Sequence, residues 1–394
     1  MTAVACGQVI TTLAQSSDAP RPPFVVPEPY AFATPALAEE SEFWKRYTLT
    51  FESAVTTEVT PNDVVPLLIT VPTEQIGSSP VVVLFHYWGA TDLSVERNLG
   101  DRLAKQGIAS VAMALPYHLQ RTPPGTRSGE MAITPDPAQM RLLLIQAMAD
   151  LSRTIDWIET QPNLDSSRIG LSGISLGAIV SSLAFGVEPR VKAAAFMLGG
   201  VDLAGIFFTS SRTVGLRDDM RRNGYSVESL REALAPVEPL TYLRSDDPRP
   251  AYIIRARYDT IVPPGQTEKL INALPNAKLL ELDTGHFGGA LVQNRLLGTV
   301  ADFFAHALRD RAFAAPTRFF APTLRIGALT SGTEPATLFA GMDLWRGGSG
   351  FATFMLTSQG PRGFLGFGVG RDLGIGLYAS PRRTTWGVLW NIVL

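Results

Sequence analysis

The residues best suited to chemistry form one short motif. Residues 173–177 read Gly-Ile-Ser-Leu-Gly, a G-x-S-x-G pentapeptide with Ser175 at its centre. A serine in this motif occupies a sharp strand-to-helix turn, and the two glycines let the strand and the helix approach closely. The turn exposes the hydroxyl and leaves the N–H of Leu176 at a helix N-terminus, where it can donate to an oxyanion. The motif predicts a nucleophilic serine, and a structural serine at a tight turn is the alternative.

A nucleophilic serine needs a neighbouring base. His286 is the strongest choice, because it follows the last predicted strand in the loop Thr-Gly-His-Phe-Gly-Gly. The glycines on both sides suit a loop that must place an imidazole beside a hydroxyl. His306 lies in the middle of a predicted helix and His86 ends a strand too early in the chain, so both are weaker choices.

The base in turn needs an acid that orients it. We favour Asp259, which directly follows the penultimate predicted strand. An open α/β sheet gathers its site at the carboxyl ends of its strands, which is where this aspartate would lie. Asp283, close before His286 in the chain, is the main competitor, and Asp246 and Asp247 are more remote ones.

The composition argues against several other functions. The chain has 394 residues, of which 45% are hydrophobic and 18% charged, enough to bury a large core. Its formal net charge is −2 and it has no dense basic cluster, so nucleic acid is not expected as a partner. The histidines show no H-E-x-x-H pattern, and the single Cys6 gives no disulfide framework. The lone cysteine slightly favours the cytoplasm, while surface or membrane attachment stays open.

Alternating strands and helices must position the motif residues. Residues 1–44 are rich in proline and are predicted to form an extended leader. Residues 45–312 alternate between strands and helices after two antiparallel opening strands, which predicts a mostly parallel α/β sheet with helices on both faces. Residues 199–248 interrupt this alternation and form either a lid over the site or a plain connecting subdomain. Asp136 and Pro137 mark the start of a long helix.

Residues from about 45 to 309 resemble the α/β-hydrolase superfamily, and within it the serine esterases and lipases related to dienelactone hydrolases. Four motifs carry the resemblance. They are Phe-His-Tyr-Trp-Gly at 85–89, the serine motif at 173–177, Tyr-Asp-Thr-Ile-Val-Pro-Pro at 258–264 and Gly-His-Phe at 285–287. This combination is specific to the fold but not to a substrate. Dienelactone hydrolases use a cysteine nucleophile, so their particular activity is not expected of a chain with a serine.

The resemblance implies a role for each residue of the constellation. Ser175 would be the nucleophile, Asp259 the acid and His286 the base, which is the chain order of α/β-hydrolases. The serine would attack an ester carbonyl, and water would then free the acyl-enzyme. Neither a metal nor an organic cofactor is expected.

The oxyanion loop departs from the family pattern. Many relatives have His-Gly-x there, whereas this chain has Tyr87 in the place of the glycine. The resemblance implies the N–H groups of Trp88 and Leu176 as oxyanion donors, with Tyr87 as the alternative to Trp88. The aromatic pair would otherwise form a wall of the acyl pocket. The residues expected to contact the substrate are His86, Tyr117 and His118.

The last part of the chain, residues 316–394, has a different character. Glycine and aromatic residues increase, charges become scarce and helical periodicity disappears. Period-two alternation predicts an antiparallel β-rich module. Its strands are expected at 336–345, 350–358, 363–370, 373–380 and 385–394. Single-chain barrels of the outer-membrane type need about eight or more strands, and this segment offers five or six.

Three interpretations of residues 316–394 are open. The segment is a module packed on the hydrolase domain or on another subunit, a membrane-associated sheet, or a disordered and aggregation-prone tail. The membrane interpretation rests on residues 363–378, where bulky apolar residues share one parity and glycines dominate the other. Homo-oligomerisation and membrane association through this segment are therefore both kept as expectations.

Together these features predict a serine carboxylesterase that acts on short-to-medium acyl esters. Its partner would be a small-molecule ester. A lipase or a peptidase of the same fold is the runner-up. From another class, the alternative is a catalytically silent, surface-attached binding or assembly protein. The complete set of Ser175, Asp259 and His286 argues against that alternative.

Overall fold

In the computed structural model, ten strands of the described residues form one mixed sheet. In chain order they are β1 (Ala36–Glu40), β2 (Trp44–Glu52), β3 (Val64–Pro72), β4 (Ser79–Phe85), β5 (Ala109–Met113), β6 (Leu164–Ile174), β7 (Val191–Met197), β8 (Ala251–Ala256), β9 (Lys278–Leu282) and β10 (Arg318–Phe319). Their order across the sheet is β1-β2-β3-β5-β4-β6-β7-β8-β9-β10. The strands β1, β2, β3 and β5 pair antiparallel, and from β5 onward every pair is parallel. The predicted mostly parallel sheet with antiparallel opening strands is confirmed.

Helices cover both faces of this sheet. The α-helices assigned in the described part of the chain are α1 (Ser94–Ala104), α2 (Pro137–Glu159), α3 (Leu176–Val187), α4 (Leu203–Thr209), α5 (Val214–Arg222), α6 (Val227–Leu234), α7 (Pro264–Ala273) and α8 (Gln293–Ala307). Strand β4 shows the two-sided burial, because Val81 and Val83 join the core under α2 and α3, whereas Val82 and Leu84 join the core under α1 and α8. No helix among these residues is both long and apolar enough to cross a bilayer.

The structure describes residues 23–74, 77–319, 321–331, 334–347, 349–369, 372–381 and 383–394. The first half of the predicted leader, residues 1–22, lies outside this description. Residues 23–35 have neither helix nor strand, but they pack against the sheet domain. The Tyr30 and Phe32 rings contact Phe51 at centroid distances of 6.3 and 5.8 Å. The described part of the leader is therefore laid along the domain surface, as an extended segment.

Local sequence signals explain where helix α2 begins. The Asp136 side chain accepts a hydrogen bond from the N–H of Ala138 at 2.8 Å, and Pro137 occupies the first turn. An aspartate cap satisfies a backbone donor that the helix cannot pair, and proline there loses no helical hydrogen bond. Helices α4 to α6 occupy the predicted insertion at residues 199–248, between β7 and β8. Whether this insertion moves as a lid stays a prediction.

A second unit follows the sheet domain. Among the described residues from 321 onward, six antiparallel strands form a closed barrel. They are β11 (Leu324–Ser331), β12 (Glu334–Gly347), β13 (Gly350–Thr357), β14 (Gly360–Val369), β15 (Leu373–Ala379) and β16 (Thr384–Val393). The pairing of β16 with β11 closes the barrel. The predicted C-terminal antiparallel module is confirmed.

The closure of the module into a barrel was not predicted from the sequence. Strand β11 was not expected, because its inward positions include the charged Arg325, which disguises the apolar alternation. The barrel interior holds a small core of Leu329, Phe339, Phe351, Met355, Phe364, Tyr378 and Leu389. The glycines of β14 and β15 allow close pairing, since a Cβ on Gly366 would lie 2.4 Å from the carbonyl oxygen of Ile375. Closure follows because the edge strands β11 and β16 meet and pair.

Candidate active site

Ser175 lies in the sharp turn between β6 and α3. Its backbone has a φ of 55° and a ψ of −113°, and its N–H donates to the carbonyl of Met197 at 2.9 Å. A positive φ is strained for a residue with a side chain and is found where the surrounding structure holds it. The flanking glycines are required, because a Cβ on Gly173 would lie 2.2 Å from Gly177, and one on Gly177 would lie 2.2 Å from the carbonyl oxygen of Phe85.

Ser175, His286 and Asp259 form one hydrogen-bonded chain. The Nε2 atom of His286 lies 3.0 Å from the hydroxyl of Ser175, and its Nδ1 atom lies 2.7 Å from Oδ2 of Asp259. The other carboxylate oxygen of Asp259 accepts hydrogen bonds from the N–H groups of Ile261 and Val262, both at 2.8 Å. These bonds fix the carboxylate, which can accept a hydrogen bond from Nδ1 and so leave Nε2 facing the hydroxyl of Ser175.

The competing residues point elsewhere. The carboxylate of Asp283 pairs with Arg318, which donates from Nε at 2.5 Å. His306 lies on α8, where its Nδ1 contacts a carbonyl of its own helix. Asp246 and Asp247 each pair with an arginine two residues away in the chain. Of the four aspartates considered, the structure brings only Asp259 to the imidazole of His286.

The predicted oxyanion loop lies beside Ser175. Tyr87 and Trp88 lie in the loop after β4, following His86, and line the same cavity as the serine. The indole of Trp88 donates to the carbonyl of Gly129 at 2.8 Å, and the guanidinium of Arg212 stacks over its ring at 4.7 Å. Leu176 is the first residue of α3, so its N–H has no partner within the helix. The three predicted donor residues are thus all close to the serine.

His86, Tyr117 and His118 do not line the cavity. His86 is fully buried, and its Nε2 accepts from the N–H of Leu115 at 3.0 Å while Nδ1 lies 2.9 Å from the carbonyl of Tyr87. The ring of His118 lies 4.8 Å from that of His86, also fully buried. Burial lowers the pKa of His86 to about 3 and the pKa of His118 to about 4. Both imidazoles are therefore neutral, and His86 holds the carbonyl of Tyr87 while His118 holds that of Pro116.

The cavity above Ser175 has a volume of about 450 Å³. Most of its lining is apolar, and much of it comes from the segment after His286. The apolar side chains lining it are Trp88, Val95, Ile174, Met197, Leu198, Ile261, Phe287, Leu296 and Leu297. Sequence reasoning did not identify Arg212, Gln293 or the leucines of α8 as cavity residues. Only Phe287 had a local signal, its position next to His286.

The polar groups at this site give no metal-binding arrangement. Among the residues that the structure describes, no group of three or more histidine, cysteine, aspartate or glutamate side chains could hold a metal ion. The histidines nearest the loop of Tyr87 are engaged with backbone groups instead.

Comparison with known families agrees with the architecture. A family model described as "Alpha/beta hydrolase domain containing 18" matches residues 38–235 of this chain. The matched range contains half of the chain. It includes Ser175 and its turn, whereas Asp259 and His286 lie beyond it.

Individual relatives point to the same fold. A Synechocystis protein named "Putative carboxymethylenebutenolidase" is 26% identical over an alignment of 155 residues that covers 35% of this chain and 60% of that protein. The chain thus spans about 60% of the length of this curated relative. A solved acetyl xylan esterase from a Paenibacillus species is 20% identical, with a TM-score of 0.55 over 68% of this chain and 88% of that chain. The acylaminoacyl peptidase of Pyrococcus horikoshii is 14% identical, with a TM-score of 0.52 over 70% of this chain and 44% of that chain.

Proposed function

Because the chain belongs to the α/β-hydrolase domain-containing 18 family, we propose that it hydrolyses carboxylic esters through Ser175, His286 and Asp259. The observation that carries the proposal is the hydrogen-bonded chain from the serine hydroxyl through the imidazole to the carboxylate, with distances of 3.0 and 2.7 Å. The strained turn of Ser175 and the cavity above it support the same function. The esterase names among the relatives agree with ester hydrolysis.

The reaction would proceed by acyl transfer in two steps. His286 takes the proton of Ser175 while the serine oxygen attacks the ester carbonyl, and the imidazolium then gives this proton to the departing alcohol. In the second step water loses a proton to the same imidazole and attacks the acyl-enzyme, which releases the acid and restores the serine. The carboxylate of Asp259 stabilises the imidazolium in both steps, because the two groups are in contact.

Two backbone N–H groups would hold the negative oxygen that forms in each step. Leu176 supplies one from the N-terminus of α3, and either Trp88 or Tyr87 supplies the second from the loop after β4. Donors fixed in this way need no rearrangement during the reaction, which is why each is worth about 2.7–4 kcal/mol in comparable enzymes.

The cavity favours a substrate with a short-to-medium acyl group. A volume of about 450 Å³ is at the small end of ligand pockets, and its lining is mainly apolar. A lipase activity on longer chains is the runner-up, supported by the exposed side chains of Phe287 and Leu291 close to the cavity. A peptidase activity has no specific support in the lining residues.

The experiment is hydrolysis of p-nitrophenyl esters from acetate to palmitate by the full chain. Ser175→Ala should reduce kcat by about a millionfold, as in serine proteases. Ser182→Ala is the matched control, because this buried hydroxyl of α3 bonds only to a carbonyl of its own helix in the described structure. An optimum at acetate to octanoate supports a carboxylesterase, and an optimum at palmitate indicates a lipase.

If the full chain hydrolyses none of these esters, a second measurement is needed. A fluorophosphonate probe that labels the wild-type chain but not Ser175→Ala would show an active serine with another substrate. Absence of both turnover and labelling would contradict the proposal and favour a silent binding or assembly protein.

A further inference from the structure

The outer wall of the barrel is apolar on all six strands. Sixteen of the 25 large apolar side chains that are exposed in the described part of the chain belong to this wall. They are Ile326, Leu338, Met342, Leu344, Trp345, Phe354, Leu356, Leu365, Phe367, Val369, Leu373, Ile375, Leu377, Trp386, Val388 and Trp390. Strand pairing makes them neighbours, so they form one exposed apolar surface. Surfaces of this kind mark contact with another molecule or with a membrane.

Two charged side chains of the barrel strands, Arg325 and Asp343, turn inward. Arg325 is 3% exposed and donates to both carboxylate oxygens of Asp343 at 2.7 and 2.9 Å. It also contacts the amide oxygen of Asn391. Toward the other end, Arg362 donates to the hydroxyl of the buried Tyr378 at 2.6 Å. The interior therefore holds a buried ion pair beside an apolar core. The apolar outer wall is the reverse of the wall of a barrel surrounded by water, and it is typical of strands surrounded by lipid.

The distribution of exposed apolar residues around the barrel decides whether a protein or a lipid bilayer covers them. A second copy of this chain, or another protein, would cover one sector of the wall and leave the opposite strands exposed to water. Each strand, however, carries exposed apolar residues, and only a surrounding hydrocarbon phase covers all of them. We propose that the barrel inserts into a lipid bilayer and anchors the hydrolase domain at the membrane surface.

The tryptophans of the wall agree with this placement. Trp345 lies near the end of β12, next to Arg346, which contacts the hydrolase domain, and Trp390 lies toward the same end of the barrel on β16. Trp386 lies toward the far end, opposite Leu377. The side chains of the three are 54%, 49% and 66% exposed, respectively. Tryptophan gathers at the two interfaces of a membrane, where its ring is apolar and its N–H reaches water.

The barrel serves as an anchor and not as a channel. Six strands enclose less space than the eight or more of single-chain outer-membrane barrels. The space inside is occupied by apolar and aromatic side chains, among them Phe351 and Phe364 of the neighbouring strands β13 and β14, whose rings stack at 5.5 Å. We therefore expect no ion conductance. This inference does not depend on the proposed esterase activity, because it concerns surfaces away from Ser175.

The test is flotation of the full chain with phosphatidylcholine vesicles, after removal of the detergent used for purification. Wild-type protein should float with the vesicles, and lipids brominated on their acyl chains should quench its tryptophan fluorescence. Replacing Trp345, Trp386 and Trp390 by Phe should remove most of this quenching, because Trp44, Trp88 and Trp157 belong to the hydrolase domain. The same vesicles, loaded with a dye, should not leak it.

Arginine substitutions on the outer wall of the barrel test membrane insertion more directly than the tryptophan replacements. Leu365→Arg and Ile375→Arg place a cation on exposed positions of neighbouring strands, and each should lower the partition coefficient at least tenfold. Thr384→Arg adds the same charge at an exposed position where β16 begins and should change partitioning little. Circular dichroism of each variant checks that it is folded. We expect folding to be unchanged, because the replaced side chains point outward and do not belong to the barrel core.

Two outcomes would overturn the inference. The first is a monomeric wild-type chain that stays in the aqueous fraction without quenching. The second is an oligomer that ignores vesicles and dissociates when Leu365→Arg or Ile375→Arg is introduced, which would make a second copy of this chain the occupant.

Discussion

The guanidinium carbon of Arg346 lies 3.5 Å from the centre of the Tyr258 ring. Arg346 belongs to β12 of the barrel, and Tyr258 directly precedes Asp259 in the sheet domain. The barrel therefore contacts the loop that carries the proposed catalytic acid. The N–H of Tyr258 also donates to the carbonyl of Thr284 at 3.0 Å, so this contact reaches the loop of His286 as well.

Further contacts support the loop of His286. The hydroxyl of Thr284 donates to the carbonyl of Pro322 at 3.0 Å, and that of Thr323 donates to the carbonyl of Asp283 at 2.8 Å. Gly285 packs on the last residue of the chain, because a Cβ there would lie 2.5 Å from the carbonyl oxygen of Leu394. The barrel thus holds two loops whose relative position decides whether the imidazole meets the carboxylate.

Arg346→Ala should lower kcat about tenfold and change KM little. The stacked cation contributes about 0.5–2 kcal/mol to holding the Tyr258 loop, and its loss lets Asp259 move away from His286. Arg346→Lys should recover part of the rate, because it keeps a cation over the ring. Arg244→Ala is the control. Arg244 forms an exposed ion pair with Asp246 near the start of β8, whereas the Tyr258 loop follows the end of that strand. A fall of kcat equal in the Ala and Lys variants, or a change confined to KM, would contradict this positioning role.

Asp259→Asn should lower kcat/KM for p-nitrophenyl butyrate by about 10⁴. The amide keeps the volume of the carboxylate but removes the charge that stabilises the imidazolium and fixes its tautomer. Asp283→Asn should keep the rate within a few-fold, because its carboxylate faces Arg318 and not His286. If Asp283→Asn were the more damaging change in folded protein, the assignment of the acid would be wrong.

Much of the sheet domain could be predicted because its signals are local. The apolar run of β4 predicts a strand covered on both faces, and the pair Asp136-Pro137 marks the start of α2 at the correct residue. Asp259 is favoured because it follows the penultimate predicted strand. The structure places Asp259 at the imidazole of His286.

Features that depend on contacts distant in sequence were not predictable. His86 accepts from the N–H of Leu115, 29 residues further along the chain, and the ring of His118 packs on that of His86. Their exclusion from the cavity therefore has no local sequence signature. Arg212 lies in the insertion at residues 199–248 and reaches the cavity from there. In the sequence this segment is visible only as an interruption of the alternation of strands and helices, so its contact with the cavity could not be predicted. Closure of the barrel depends on a pairing of β11 with β16 across the whole module.

Arg212→Ala should raise KM for an anionic ester about tenfold and leave KM for a neutral ester nearly unchanged. The guanidinium lines the cavity beside the ring of Trp88, where it can reach the carboxylate of a bound substrate. A charge-assisted hydrogen bond to a substrate carboxylate is worth about 1.5–3 kcal/mol. The measurement compares p-nitrophenyl hemisuccinate with p-nitrophenyl butyrate. Equal effects on both esters would show that Arg212 only supports Trp88, on which it stacks.

Glu96→Gln should stabilise the folded chain at pH 8 and have little effect at pH 4.5. Glu96 lies on α1, and burial raises its pKa from 4.5 to about 7. As pH rises from 4.5 to 7, the unfolded chain releases this proton before the folded chain does, so stability falls by up to about 3 kcal/mol. Urea unfolding at each pH measures the difference in free energy of unfolding between the wild type and Glu96→Gln. The contributions of His86 and His118 cancel in this difference, because both proteins contain them. The exposed Glu232→Gln is the control, and a Glu96→Gln effect of equal size at both pH values would contradict the raised pKa.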